Sequence, residues 1–154
     1  MVEESTVSLS SEGLSVHMRI PAERGYLGNA VLTLRGICEH VAVSLDRSNR
    51  IILALEEALM NAMEHAYKDV PEEQGGFIDL QFAVEGSELS LIVEDYGCGL
   101  PEGAKKPLST EDEILCDRGR GLNILDEIPD KILVDSARGR GTRTSMLFYL
   151  VSCD

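Results

Sequence analysis

Leu14, Val16, Met18 and Ile20 alternate with mostly polar neighbours, and that period of two predicts a strand with one buried face. Pro21 ends it. Leu27, Val31, Leu34, Cys38, Val41 and Leu45 then recur at helical spacing and predict an amphipathic helix. The segment Ser44-Leu45-Asp46-Arg47-Ser48 breaks the pattern and offers Asp46 or Ser48 as an N-cap. A second helix is expected from about Asn49 to Tyr67. It is apolar on most sides, through Ile51, Ile52, Leu53, Leu55, Leu59, Met60 and Met63, so it should be central. Beyond a loop from Pro71 to Gly76, two strands near Phe77–Val84 and Leu89–Asp95 flank the short turn Glu85-Gly86-Ser87. That arrangement predicts an antiparallel hairpin.

The segment from Tyr96 to Gly119 is polar, carries Gly and Pro, and has little periodicity. Loops of that length in compact domains are functional lids or disordered segments. Gly121 to Glu127 predicts a short helix, and Lys131–Ser136 and Thr142–Val151 predict two more strands. About five strands and three helices favour an α+β fold: a two-layer α/β sandwich with helices on one face of a mixed, mostly antiparallel sheet. The length fits one domain over residues 1–154, with an N-terminal strand segment at 1–22. The strand from Leu14 to Ile20 is expected at an edge of the sheet.

The chain is 44% hydrophobic, enough for a substantial core, and has no apolar run long enough to span a bilayer. Met1 to Ser15 lacks the basic start and apolar block of a signal peptide, so a cytoplasmic protein is expected. Cys38, Cys98, Cys116 and Cys153 form no C-x-x-C pair, which predicts reduced thiols and no zinc site. The net charge of −13 disfavours nucleic acid and anionic membrane as partners. Arg118, Arg120, Lys131, Arg138, Arg140 and Arg143 nevertheless crowd the last third. Such a cluster suits a small anion such as a nucleotide phosphate, or is simply a solvated charged face.

The candidate chemistry sits first on the central helix. Glu57, Asn61 and His65 recur at four-residue steps, so on a regular helix they share one face. A carboxylate can accept a proton, and a neutral amide oxygen can ligate a hard cation. That pair suits phosphoryl transfer from a magnesium nucleotide. His65 is expected to be structural rather than catalytic.

Three further motifs follow. In Glu94-Asp95-Tyr96-Gly97-Cys98-Gly99, glycines let the backbone approach a flat ligand closely, or merely turn the chain. Asp95 at a strand end accepts only, so it can take a hydrogen bond from the exocyclic amine of adenine, where guanine presents a carbonyl. In Arg118-Gly119-Arg120-Gly121-Leu122, glycines opening a helix can present N–H groups to phosphates, and arginine adds charge-assisted bonds. The Lys-Ser/Thr ending of a Walker A loop is absent. The last motif, Gly139-Arg140-Gly141-Thr142-Arg143-Thr144, precedes a strand. Thr142 can hydrogen-bond a base or the aspartate that anchors it.

A helix with Glu and Asn, a strand-end D-x-G-x-G, a G-x-G-L and then G-T before a strand, in that order, resemble the GHKL ATP-binding superfamily. The resemblance spans roughly Leu27 to Leu150. Within it the chain is most similar to bacterial anti-sigma factor serine/threonine kinases. Glu57 to His65 looks like their N box, Asp95-x-Gly97-x-Gly99 like the G1 box, Gly119-Arg120-Gly121-Leu122 like the G2 box that closes an ATP lid, and Gly141-Thr142 like the last box. The resemblance implies ATP as substrate, Mg²⁺ on Asn61, Glu57 as general base, Asp95 on adenine and Arg120, with Arg118, near the terminal phosphates. It implies a lid at about 96–120, a homodimer, a sigma factor as partner and a small anti-anti-sigma antagonist as phosphoacceptor. From Pro101 to Cys116 no residue aligns with the family pattern. The alternatives are a histidine-kinase-type ATPase module, which needs an upstream phosphoacceptor histidine, and a non-catalytic binder that nucleotide merely orders.

Overall fold

The computed structural model describes residues 5–10, 13–67, 75–99, 120–137 and 140–150, with only the backbone described at 9, 10, 120–123 and 137. The chain runs β1 (Ser5–Ser10), β2 (Gly13–Pro21), α1 (Leu27–His40), α2 (Leu45–Asn61), a π-helical turn (Ala62–Ala66), β3 (Phe77–Glu85), β4 (Glu88–Asp95), α3 (Arg120–Glu127), β5 (Lys131–Ala137) and β6 (Gly141–Tyr149). One six-stranded sheet has the order β1-β2-β3-β4-β6-β5, antiparallel at every pairing. The expected α+β sandwich is therefore present, with a sheet that is wholly antiparallel among the described residues.

Alternation decides the two faces. Val16, Met18 and Ile20 of β2, Ile78, Leu80 and Phe82 of β3, and Leu89, Leu91 and Val93 of β4 point to the helices and are buried. Ile51, Leu55 and Leu59 of α2 and Leu34 of α1 meet them, fully buried. Each such side chain contributes roughly 1.5–3 kcal/mol of transfer free energy, so this layer dominates the stability of the fold. α2 is pinned at its start by Arg47, which donates to Asp130 (2.7 Å) and to the Tyr149 carbonyl (3.1 Å) beyond the β5–β6 pair.

Several expectations need correction. β2 is not an edge strand, because β1 pairs along its length from Ser5↔Met18 to Ser10↔Gly13; β1 and β5 hold the edges. β1 was not expected at all, since its short alternation of Val7 and Leu9 with Ser and Thr gives little amphipathic signal. α1 stops at His40, five residues before the expected Leu45. It closes in a Schellman turn: Val43 N–H donates to the Cys38 carbonyl and Ala42 N–H to the Glu39 carbonyl. The cap of α2 is Ser44, whose hydroxyl accepts from Arg47 N–H at 3.2 Å, rather than Asp46 or Ser48. Asp46 lies instead in the first turn, where its charge complements the helix dipole.

Candidate functional site

α2 delivers Glu57 and Asn61 one turn apart, and both are half-buried. Asn61 is the last α-helical residue; the chain then widens into the π turn Ala62–Ala66. Such turns recur at functional sites and offset the residues that follow. Glu57 and Asn61 thus share a face within α2, while His65 falls inside the π turn and stands exposed.

β4 brings Asp95 to the end of the sheet, where it is 6% exposed. Its Oδ1 accepts from Gly97 N–H at 3.1 Å and from Thr142 N–H at 3.2 Å. Thr142 is the ladder partner of Asp95 on β6, so the strand register itself places this donor. Both bonds fall on Oδ1, and among the described residues Oδ2 keeps its lone pairs for another donor. Burial pushes the Asp95 carboxyl above the ordinary carboxylate range; the two N–H bonds act against this and the charge of Glu94 with it. The Thr142 hydroxyl is engaged elsewhere, 2.8 Å from that of Ser136.

The two glycines beside this aspartate are dictated by close backbone approach. A Cβ at Gly97 would lie 2.1 Å from the Ala66 carbonyl oxygen, so the turn after β4 presses directly on the end of the helix that carries Asn61. A Cβ at Gly141 would lie 2.0 Å from the Asp95 carbonyl oxygen, at φ +93°, a region that glycine alone enters readily. Cys98 N–H donates to that same Ala66 carbonyl at 3.0 Å. The structure thus joins the predicted N-box helix, the Asp95 turn and the Gly141-Thr142 strand entry at one corner of the molecule. Gly99 closes the described part of the turn at φ +73°. Arg118, Gly119 and most of the expected lid, 100–119, lie outside the described residues, and Arg120, Gly121 and Leu122 open α3 with only their backbone described.

Tyr67 was missed in the sequence. Its hydroxyl accepts from Tyr96 N–H at 2.8 Å and donates to the Phe77 carbonyl at 2.6 Å. The one available signal was an aromatic residue at the end of the helix with a Gly-Gly pair before the next strand; Gly76 lies against the Tyr67 ring. On the opposite, outer face of the sheet a surface cavity of about 370 Å³ is lined by Thr6, His17, Arg19, Asp79, Gln81 and Arg143, among others. Of the candidate residues read from the sequence, only Arg143 of the basic cluster lines it.

The sequence pattern of the histidine kinase-like ATPase domain matches residues 20–148. The chain belongs to this family. Its relatives include the serine-protein kinase RsbW of Bacillus velezensis, 32% identical over 142 residues that cover 88% of this chain and 85% of that one. The anti-sigma F factor of Clostridium acetobutylicum is 30% identical over 76% of this chain and 80% of its own. The likeness to anti-sigma factor serine kinases read from the motifs therefore holds. Among solved structures, the RsbU and RsbW domains of a Mycobacterium tuberculosis protein match with a TM-score of 0.63 at 19% identity, over 88% of this chain and 32% of that chain. The histidine kinase domain of a blue-light activated kinase from Erythrobacter litoralis matches with a TM-score of 0.58 at 24% identity, over 85% of this chain and 62% of that one. These two likenesses establish the shared fold. An ATP-binding domain of this family implies ATP as ligand. Among the described residues no helix is long and apolar enough to cross a membrane.

Proposed function

We propose that residues 1–154 act as one ATP-binding kinase domain that phosphorylates a serine or threonine on a small anti-anti-sigma protein and binds a sigma factor. The observation that carries this reading is Asp95, a carboxylate 6% exposed, whose Oδ1 is held by two backbone donors beside the helix bearing Glu57 and Asn61. A buried acceptor held in this way selects an adenine amine and rejects a guanine carbonyl. The names of the relatives, serine-protein kinase and anti-sigma F factor, support the reaction and the class of partner.

In this reading Asp95 Oδ2 accepts from the adenine amine and sets the register of the nucleotide. Glu57 accepts the proton of the attacking hydroxyl. Arg120, with Arg118, contacts the terminal phosphates. The donor set suits Mg²⁺, which takes few protein ligands and keeps phosphate and water oxygens; Asn61 Oδ1 would hold it. When bound, the ion offsets charge on the phosphate oxygens. Catalysis here is chiefly positioning and electrostatic stabilisation.

The test is transfer of labelled phosphate from ATP to a candidate anti-anti-sigma protein. Glu57→Ala should slow transfer by about 10²–10⁴, the range for loss of a general base, with a much smaller change in ATP affinity. Equal transfer by the variant would remove Glu57 from the mechanism. Tight ATP binding by the wild type without transfer to any such protein would leave a nucleotide-ordered binder in place of a kinase.

A further inference from the structure

We propose that Tyr67 is a positioning residue that fixes the adenine-selecting aspartate relative to the helix carrying Glu57 and Asn61, an inference that rests on the nucleotide reading above. The β3–β4 hairpin sets the hydrogen-bond pattern around Tyr67. Glu85 and Glu88 flank its two-residue turn, and in such a hairpin the flanking pair exchanges backbone hydrogen bonds. Every second pair along the ladder then does the same. Counting outward, Asp79↔Glu94 is a bonded pair, Ile78↔Asp95 is not, and Phe77 with Tyr96 would be the next bonded one. The Tyr67 hydroxyl occupies that bond. It accepts from Tyr96 N–H at 2.8 Å and donates to the Phe77 carbonyl at 2.6 Å, standing where Tyr96 N–H would otherwise reach Phe77 directly.

The insertion wedges the two strands apart one residue beyond Asp95. It also ties that point to the residue that follows the π turn. The next two residues are held by the same stretch of helix end: Gly97 lies against the Ala66 carbonyl, and Cys98 N–H donates to it at 3.0 Å. Gly97 N–H in turn holds Asp95 Oδ1. Tyr96 is anchored at its far end as well, its hydroxyl bonded to the Asp79 carboxylate, which Arg19 also grips at 2.7 Å and 2.9 Å. Three consecutive residues after Asp95 thus take their positions from Ala66 and Tyr67. Those two residues lie five and six positions beyond Asn61 on the same helical segment. Burial keeps the phenol protonated well past neutrality, so it can donate and accept at once. Gly76 leaves room for the ring: a Cβ there would fall 2.4 Å from it.

The experiment compares ATP and GTP affinities of the full chain, by calorimetry, for wild type, Tyr67→Phe and Gly76→Ala, with thermal melting of each. Tyr67→Phe should weaken ATP on the order of tenfold, as for loss of a positioning hydrogen bond, while GTP affinity stays put, so the preference for ATP narrows. Gly76→Ala keeps the hydroxyl but displaces the ring, and should narrow the preference in the same direction even where Tyr67→Phe folds poorly. A purely structural Tyr67 would weaken both nucleotides in proportion. That result, or an unchanged preference in both variants, overturns the inference while leaving the nucleotide reading standing. A wild-type chain that binds no ATP overturns both.

Discussion

Asp95→Asn is the sharpest perturbation the site offers. The two side chains are nearly isosteric. The Asn oxygen can keep both backbone donors, Gly97 N–H at 3.1 Å and Thr142 N–H at 3.2 Å, so the turn need not move. What changes is the second atom: an acceptor oxygen becomes an NH₂ donor facing the adenine amine. Losing a hydrogen bond to a charged acceptor costs about 1.5–3 kcal/mol, and an adenine amine left unpaired in the site costs about 1–3 more. Even the low ends together correspond to nearly a hundredfold in ATP affinity. Guanine, with a carbonyl at that position, should lose little or gain, so the ATP to GTP preference should collapse. Stability should move the other way. Burial raises the Asp95 carboxyl above its unfolded value, so its ionisation opposes folding at neutral pH, and Asn removes that opposition. Calorimetric titration with both nucleotides, alongside thermal melting, reads all three effects. ATP affinity within threefold of wild type would mean that Asp95 does not hold the adenine amine, as would a loss that tracks a fallen melting temperature.

ATP affinity should fall as pH drops through the raised pKa of Asp95, because the protonated acid no longer offers a free acceptor. Over that window, above the unfolded carboxylate value of about 3.9, the contribution of this group to stability should rise as pH falls, and a titration of melting against pH checks the opposed signs. Gly97→Ala drives a methyl to 2.1 Å from the Ala66 carbonyl oxygen. It should cost about 1–3 kcal/mol of stability in a urea melt, as overpacking does, and weaken ATP besides. Ala42 sits at φ +58° in the Schellman turn after α1, where glycine is unstrained. Ala42→Gly should stabilise the fold by about 1 kcal/mol, the left-handed penalty it relieves, without touching nucleotide affinity.

Much of this architecture was written in period and punctuation. β2, β3 and β4 alternate cleanly because each buries one face against the helix layer, and the Gly86-Ser87 turn fixes the register of β3 on β4. Glu57, Asn61, Asp95 and Thr142 stood out as polar residues on or beside apolar elements, and the structure brings Asp95 and Thr142 together as ladder partners at a strand end. What was not legible depends on partners distant in sequence. β1 exists because β2 offers it an edge, not because Ser5–Ser10 is strongly patterned. The π turn carries no residue that demands it; it accompanies a helix end whose Ala66 carbonyl is claimed by Cys98 N–H, thirty-two residues later. Tyr67 reads as one more helix-end aromatic until the hairpin register shows which ladder bond its hydroxyl replaces.

A crystal structure of the chain with a non-hydrolysable ATP analogue and Mg²⁺ decides whether Asp95 reads the adenine and Asn61 holds the metal. The adenine amine should lie within hydrogen-bond distance of Asp95 Oδ2, with the metal on Asn61 Oδ1. Nucleotide bound instead in the outer-face cavity beside His17 and Arg143, or adenine seated without contact to Asp95, would contradict it.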